Sequence, residues 1–286
     1  MKTTKLILGL ALVLMTFSCS KEDNSTNSSI TTDEGTVSAK LDIMNDDVSK
    51  IVEDQLTTND GISGRSAVIV EAFLPPCATV TRVPAFGTTP TVGQTVTKTI
   101  DFGTTGCPLP NGNVLKGVII MSFAYQPEAT SHTVTYTFVN FYHNAIKFNG
   151  TKTFTRVMGT STANPNTHPI FTMNMEMTAT LPNGEEVTRV GTRTREIIEG
   201  YNTPIWLDNI YQITGNWTTT FPSGAVQTST ITTPLRIRMN CNHIVRGIIT
   251  IVRNNNTATL DYGDGECDNI AIFTINGVPH TIVLGN

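Results

Sequence analysis

The sequence predicts an all-β protein: a long antiparallel meander preceded by one N-terminal helix. Three observations carry that reading. Threonine is abundant, at 49 of 286 residues, and its branched side chain suits a pleated, half-exposed strand better than a helix. From Cys77 onward apolar and polar residues alternate with a period of two, the mark of strands with one buried and one solvated face. Clusters of Pro, Asn and Gly interrupt the alternation at short intervals, as hairpin turns do. A chain of this length can bury a substantial core in one large domain or two small ones. Its net charge of −4, with no dense Lys/Arg cluster, argues against nucleic acid as a partner.

Residues 1–18 carry Lys2 and Lys5, an apolar run from Leu6 to Val13, and then Leu14-Met15-Thr16-Phe17-Ser18. This is the pattern of a signal peptide, and the apolar run is too short to span a bilayer as a helix. Ser18 immediately before Cys19 resembles the lipobox of bacterial lipoproteins, which implies that Cys19 is lipidated and becomes the mature N-terminus. Lys21-Glu22-Asp23 follows and resembles the surface-export signal of Bacteroidota lipoproteins. The resemblance implies a lipid-anchored protein of the outer membrane, exposed at the cell surface, with the membrane as its first partner. It implies nothing about activity. Residues 19–34, rich in Ser, Thr and Asn, are expected to form a flexible tether.

Apolar residues then fall at Val37, Leu41, Met44, Val48, Ile51/Val52 and Leu56, which is helical spacing. Asp33 and Glu34 favour the N-terminal end through their charge, and Asn59-Asp60-Gly61 closes the segment. A helix is expected near 35–57, within a segment 35–60 that packs its apolar seam on the sheet.

Residues 61–286 should hold ten to twelve strands, with turns at Pro110-Asn111-Gly112, Asn149-Gly150, Pro182-Asn183-Gly184, Pro222-Ser223-Gly224 and Asn276-Gly277. Such a meander can form a curved open sheet, a barrel or a sandwich. Met173, Met175 and Met177 continue a stripe from Phe171 to Leu181, which reads as core or the lining of an apolar cavity rather than as a copper site. Arg189, Arg193 and Arg195 share one face of 187–197 and threonines the other. An edge or rim strand is expected there, because charges on an edge resist aggregation.

Two segments repeat: T-I-D-F-G-T-T-G-C at 99–107 and T-L-D-Y-G-D-G-E-C at 259–267, with Cys77 and Cys241 upstream. With Cys19 lipidated, four cysteines remain and three pairings are open. The repeat favours local disulfides, Cys77–Cys107 and Cys241–Cys267, over a four-thiolate zinc site, which would normally show C-x-x-C knuckles. Asp261, Asp264, Glu266 and Asp268 crowd the second copy, but the first keeps only Asp101. The shared residues therefore read as turn formers rather than calcium ligands.

The sequence contains no G-x-S-x-G, H-E-x-x-H, P-loop or G-x-G-x-x-G motif, and His132, His143, His168, His243 and His280 are scattered. No cofactor, metal or catalytic residue is expected on this basis. Tyr201, Trp206, Tyr211 and Trp217 gather in one region, and Tyr211 and Trp217 share a face by alternation. They are the candidate platform for stacking on a sugar. The expected function is a non-catalytic surface module binding a glycan, lipid or protein. The rivals are an apolar-ligand carrier and a hydrolase with dispersed carboxylates.

Overall fold

The computed structural model describes residues 29–57, 74–203 and 205–285. The signal segment 1–18, Cys19, most of the tether and the end of the helical segment at 58–60 lie outside the described residues.

Helix α1 spans Thr32–Thr57. Its start is fixed by a reciprocal cap: Glu34 N donates to Thr31 Oγ1 at 3.2 Å while Thr31 N donates to Glu34 Oε2 at 2.8 Å. This T-x-x-E pair satisfies two otherwise orphaned N–H groups. The helix consequently begins before residue 35, and the last residues assigned to the tether belong to the fold. Ile30 is buried, and Ser29 O accepts from Arg253 Nη1 at 2.9 Å.

The strands are β1 (Thr79–Val83), β2 (Thr95–Asp101), β3 (Cys107–Pro108), β4 (Val114–Ala124), β5 (Ser131–His143), β6 (Ile146–Gly159) and β7 (His168–Thr180). They continue with β8 (Glu186–Glu199), β9 (Ile210–Thr220), β10 (Val226–Arg238), β11 (Ile244–Arg253), β12 (Asn256–Asp264), β13 (Ile270–Ile275) and β14 (Val278–Val283). All join one 14-stranded antiparallel sheet in sequence order, with β3 set aside against β4. The order runs from β1 to β14 without closing, so the architecture is a curved open sheet.

The sheet curves around the helix. Side chains and carbonyls of α1 bond to Lys98 on β2, His143 on β5, Lys152 on β6, Arg189 on β8, Gln227 on β10, Arg253 on β11 and Tyr262 on β12. Gly35 faces the Phe273 ring of β13 so closely that an added Cβ would stand 2.8 Å from it. The expected seam, Leu41 to Leu56, packs in one apolar cluster with β2 to β8. Ile30, Ala39 and Ile43 pack in a second with Met175 of β7 and with β8 to β14. A helix buried on both sides in this way acts as the core of the sheet rather than as a cover on it.

Three local expectations need correction. Asn149-Gly150 is no turn but lies inside β6, where Gly150 takes φ 122°. A Cβ there would meet Glu176 O at 2.3 Å, so the glycine serves a close strand approach beside a register shift against β5. The hairpin turn falls instead at Asn144, with φ 56°. The strands outnumber the expected ten to twelve because the short β3 and the brief β13 and β14 escape a periodicity reading. Finally, the arginine strand is no edge: β8 stands at the middle of the order.

Candidate functional site

Polar side chains project from α1 into the concave face of the sheet, and the sheet answers with cations. Asp42 accepts from Arg189 Nη1 at 2.6 Å and from Arg193 Nη2, and its other oxygen accepts from Tyr262 Oη at 3.1 Å. Asp46 accepts from Arg195 Nη1 at 2.7 Å and pairs with Lys50 at 2.7 Å. Glu53 stands 3.3 Å from Arg195 Nε. All three arginines of β8, expected at a rim, are 5% exposed or less. Charges so far from water persist only when paired.

The guanidinium groups also stack. Arg195 lies 3.9 Å from the Tyr211 centroid, and Arg193 lies 4.1 Å from the Trp217 centroid. Alternation places Tyr211 and Trp217 on one face, and they do share it, but that face is the interior. At 5% and 3% exposure neither is presented to a sugar at the surface. Their rings hold arginines by cation–π contact instead. The same face carries the methionine stripe, with Met173, Met175 and Met177 buried as core.

Burial shapes the ionisation of this network. Desolvation raises the Glu53 pKa to about 7, with Asp46 adding to the rise and Arg195 and Lys50 opposing it. Desolvation also pushes the Lys152 ammonium well below its ordinary range, helped by the charges of Arg193 and Arg189. Lys152 donates to Asn45 Oδ1. Burial opposes ionisation of Asp47, yet the hydrogen bond and charge of His143, with Lys50 and Asn111, hold its carboxyl below the usual range. Asn111 and Asn113 donate to Asp47 at 2.7 and 2.9 Å, which ties the turn after the first repeat to the middle of the helix.

The repeats themselves are turn devices. Asp101 Oδ1 accepts from Gly103 N at 2.8 Å, and Asp261 Oδ1 accepts from Gly263 N at 2.9 Å. The aromatics that follow, Phe102 and Tyr262, both enter the interior. Sulfur–sulfur distances of 2.07 and 2.00 Å join Cys77 to Cys107 and Cys241 to Cys267. Among the described residues no group of three or more His, Cys, Asp or Glu is placed to hold a metal. Asp268, one of the candidate calcium ligands, accepts from Ile270 N at 3.0 Å.

The convex face has its own order. Register pairs Thr97, Ser122, Thr135, Thr153, Asn174, Thr192, Asn216, Thr230, Thr250, Thr259 and Thr274 into one continuous row. It crosses every strand from β2 to β13 except β3. Beside it Thr133, Thr155, Thr172, Thr194 and Thr214 form a second row. Neighbouring strands lie about 4.8 Å apart, so hydroxyls and amides recur at that interval along an arc. None of these residues is buried.

Sequence reasoning missed both the interior network and the row. The row was legible in composition, as the threonine excess, but its alignment depends on register. No protein-family model, curated protein or solved structure matches this chain.

Proposed function

We propose that this protein is a non-catalytic binding module, held to the outer membrane by a lipid on Cys19 and displayed at the cell surface, which uses the convex face of its sheet to bind a neutral glycan. The continuous Thr/Ser/Asn row carries the reading. It offers hydrogen-bond donors and acceptors at regular spacing with no charge among them, and an extended polysaccharide laid across the strands would meet a polar group from each strand in turn. The anchor rests on Ser18-Cys19 and Lys21-Glu22-Asp23 in the sequence.

The concave side supports the same division of labour. A carrier would need that interior for its cargo, and α1 occupies it. A hydrolase would need carboxylates set on a reacting bond, whereas Asp42, Asp46 and Asp47 are committed to arginine, lysine, histidine and asparagine partners.

The test is a glycan array probed with the folded domain and with an Asn174→Ala/Thr192→Val/Asn216→Ala variant, in which the centre of the row loses its polar groups. Binding to neutral glycans should fall at least tenfold in the variant with its melting temperature preserved. Equal binding by both proteins would reject the row as the site, and turnover of any arrayed glycan would reject the non-catalytic reading.

A further inference from the structure

Beside the interior charge network lies a cavity of about 30 Å³, lined by Ser49 and Glu53 of the helix, Tyr136 of β5 and Arg193 and Arg195 of β8. We propose that this cavity binds a small monovalent inorganic anion of chloride's size between Arg193 and Arg195. No step of the glycan reading depends on it.

Three observations carry the assignment. The first is unspent hydrogen-bonding capacity. Arg193 Nε and Arg195 Nη2 are buried donors with no hydrogen-bond partner, on side chains 4% and 6% exposed. Each guanidinium is stacked on an aromatic ring, so its remaining N–H groups point sideways in the guanidinium plane and need an acceptor there. Leaving such donors unmatched is costly in a buried setting, since each has given up its water.

The second is charge. Asp46, Glu53, Arg193 and Arg195 line the cavity, and the ion-pair network they belong to joins the cations Lys50, Arg189, Arg193 and Arg195 to the anions Asp42, Asp46 and Glu53. Cations exceed anions by one even with Glu53 ionised, and by two with it protonated. A water molecule would satisfy donors but leave that excess in a low-dielectric interior, whereas a monovalent anion removes both deficits.

The third is size. One water-sized occupant needs about 10–15 Å³ on this measure, so the cavity has room for a halide. The lining includes Phe154 and Phe171, an apolar wall that favours a weakly hydrated ion.

Binding should be linked to protonation of Glu53. Its charged and titratable neighbours are Arg195 and Arg193 from β8, Asp46 and Lys50 from its own helix, and Tyr136 from β5. Asp46 also lines the cavity and stays bonded to Arg195 Nη1, whereas protonating Glu53 removes the carboxylate charge beside Arg195 Nε, so affinity should rise as the pH falls from about 8 to about 6.

The experiment uses the whole mature chain. Melting temperature is followed against sodium chloride, sodium bromide and sodium gluconate at constant ionic strength, and crystals grown in bromide are measured at the bromine absorption edge. The expected result is a saturable rise in chloride and bromide that gluconate does not give, several-fold tighter at about pH 6 than at about pH 8, with one bromine peak between Arg193 and Arg195. In Glu53→Gln the halide effect should persist and lose its pH dependence. Identical melting in all three salts, or scattering in the cavity no stronger than an ordered water, would overturn the proposal whether or not the variant folds.

Discussion

Arg193 spans two partners at once: its guanidinium donates to Asp42 of the helix and lies 4.1 Å from the centroid of Trp217 on the neighbouring strand. Asp42 is also bonded to Arg189 and Tyr262. One carboxylate thus joins the helix to both β8 and β12. Asp42→Ala should destabilise the protein by about 3–5 kcal/mol, because it strands two buried arginines. Trp217→Ala should cost a similar amount, about 3–5 kcal/mol, through the cavity it leaves. Urea unfolding checks both. A loss below about 1 kcal/mol in either variant would mean that the network does not hold the sheet.

Stability should also carry the signature of Glu53. Its folded pKa of about 7 lies above its ordinary value of 4.5. The folded state therefore holds the proton more tightly, and the benefit is full below pH 4.5 and lost as pH rises through 7. With about 1.36 kcal/mol per unit, the change approaches about 3 kcal/mol. Asp47 acts in the opposite sense at lower pH, since its pKa is depressed and its contribution is lost on acidification. Comparing unfolding free energies at about pH 5 and about pH 8 isolates Glu53, and extending the series below pH 3.8 samples Asp47: Glu53→Gln should abolish the decline toward the alkaline side and leave the acid limb in place.

The two disulfides close loops of 30 and 26 residues, each worth about 3.5 kcal/mol by the loss of denatured-state entropy. Peptide mapping without reductant should recover only the two local pairs. Cys241→Ala/Cys267→Ala should lower the unfolding free energy by about that amount. Crossed peptides joining the repeats would contradict the pairing.

Glycine tolerance should follow geometry rather than sequence context. Gly184 has positive φ, but no heavy atom lies within 4 Å of the point where a Cβ would stand, so Gly184→Ala should cost only about 1–2 kcal/mol of left-handed strain. Gly150→Ala faces Glu176 O at 2.3 Å and should cost clearly more. Thermal melts of the two variants decide the order.

Cys19→Ala should move the protein from the membrane fraction to the soluble fraction of fractionated cells. Continued sedimentation with the outer membrane would remove the anchor, and resistance of intact cells to added protease would remove outward display.

Much of the architecture was legible because it is local. The helix follows from gaps of three and four between Val37 and Leu56, the strands from alternation, and the cysteine pairs from a repeated motif. What escaped was long-range. Arg189 looks like a surface residue by any count of its neighbours in sequence, since its partner Asp42 lies 147 positions away. The same holds for Tyr211 and Trp217: alternation places them on one face, but only the helix inside the curve makes that face interior. The Asn149-Gly150 pair misled because one dipeptide serves both a tight turn and a bulge, and only the partner strand distinguishes them.

The cap that starts α1 comes before every strand in the chain, and some of the groups that bond the helix's carboxylates come far later. Tyr262 is 220 positions beyond Asp42, and Arg253 is 219 beyond Glu34. A growing chain therefore cannot complete its interior until nearly its last strands have emerged, since closing such long loops is slow and unrewarded until then. Early compaction would trap unpaired carboxylates in an apolar setting. The wiring of the core thus holds back completion of the fold until nearly the whole sequence is present.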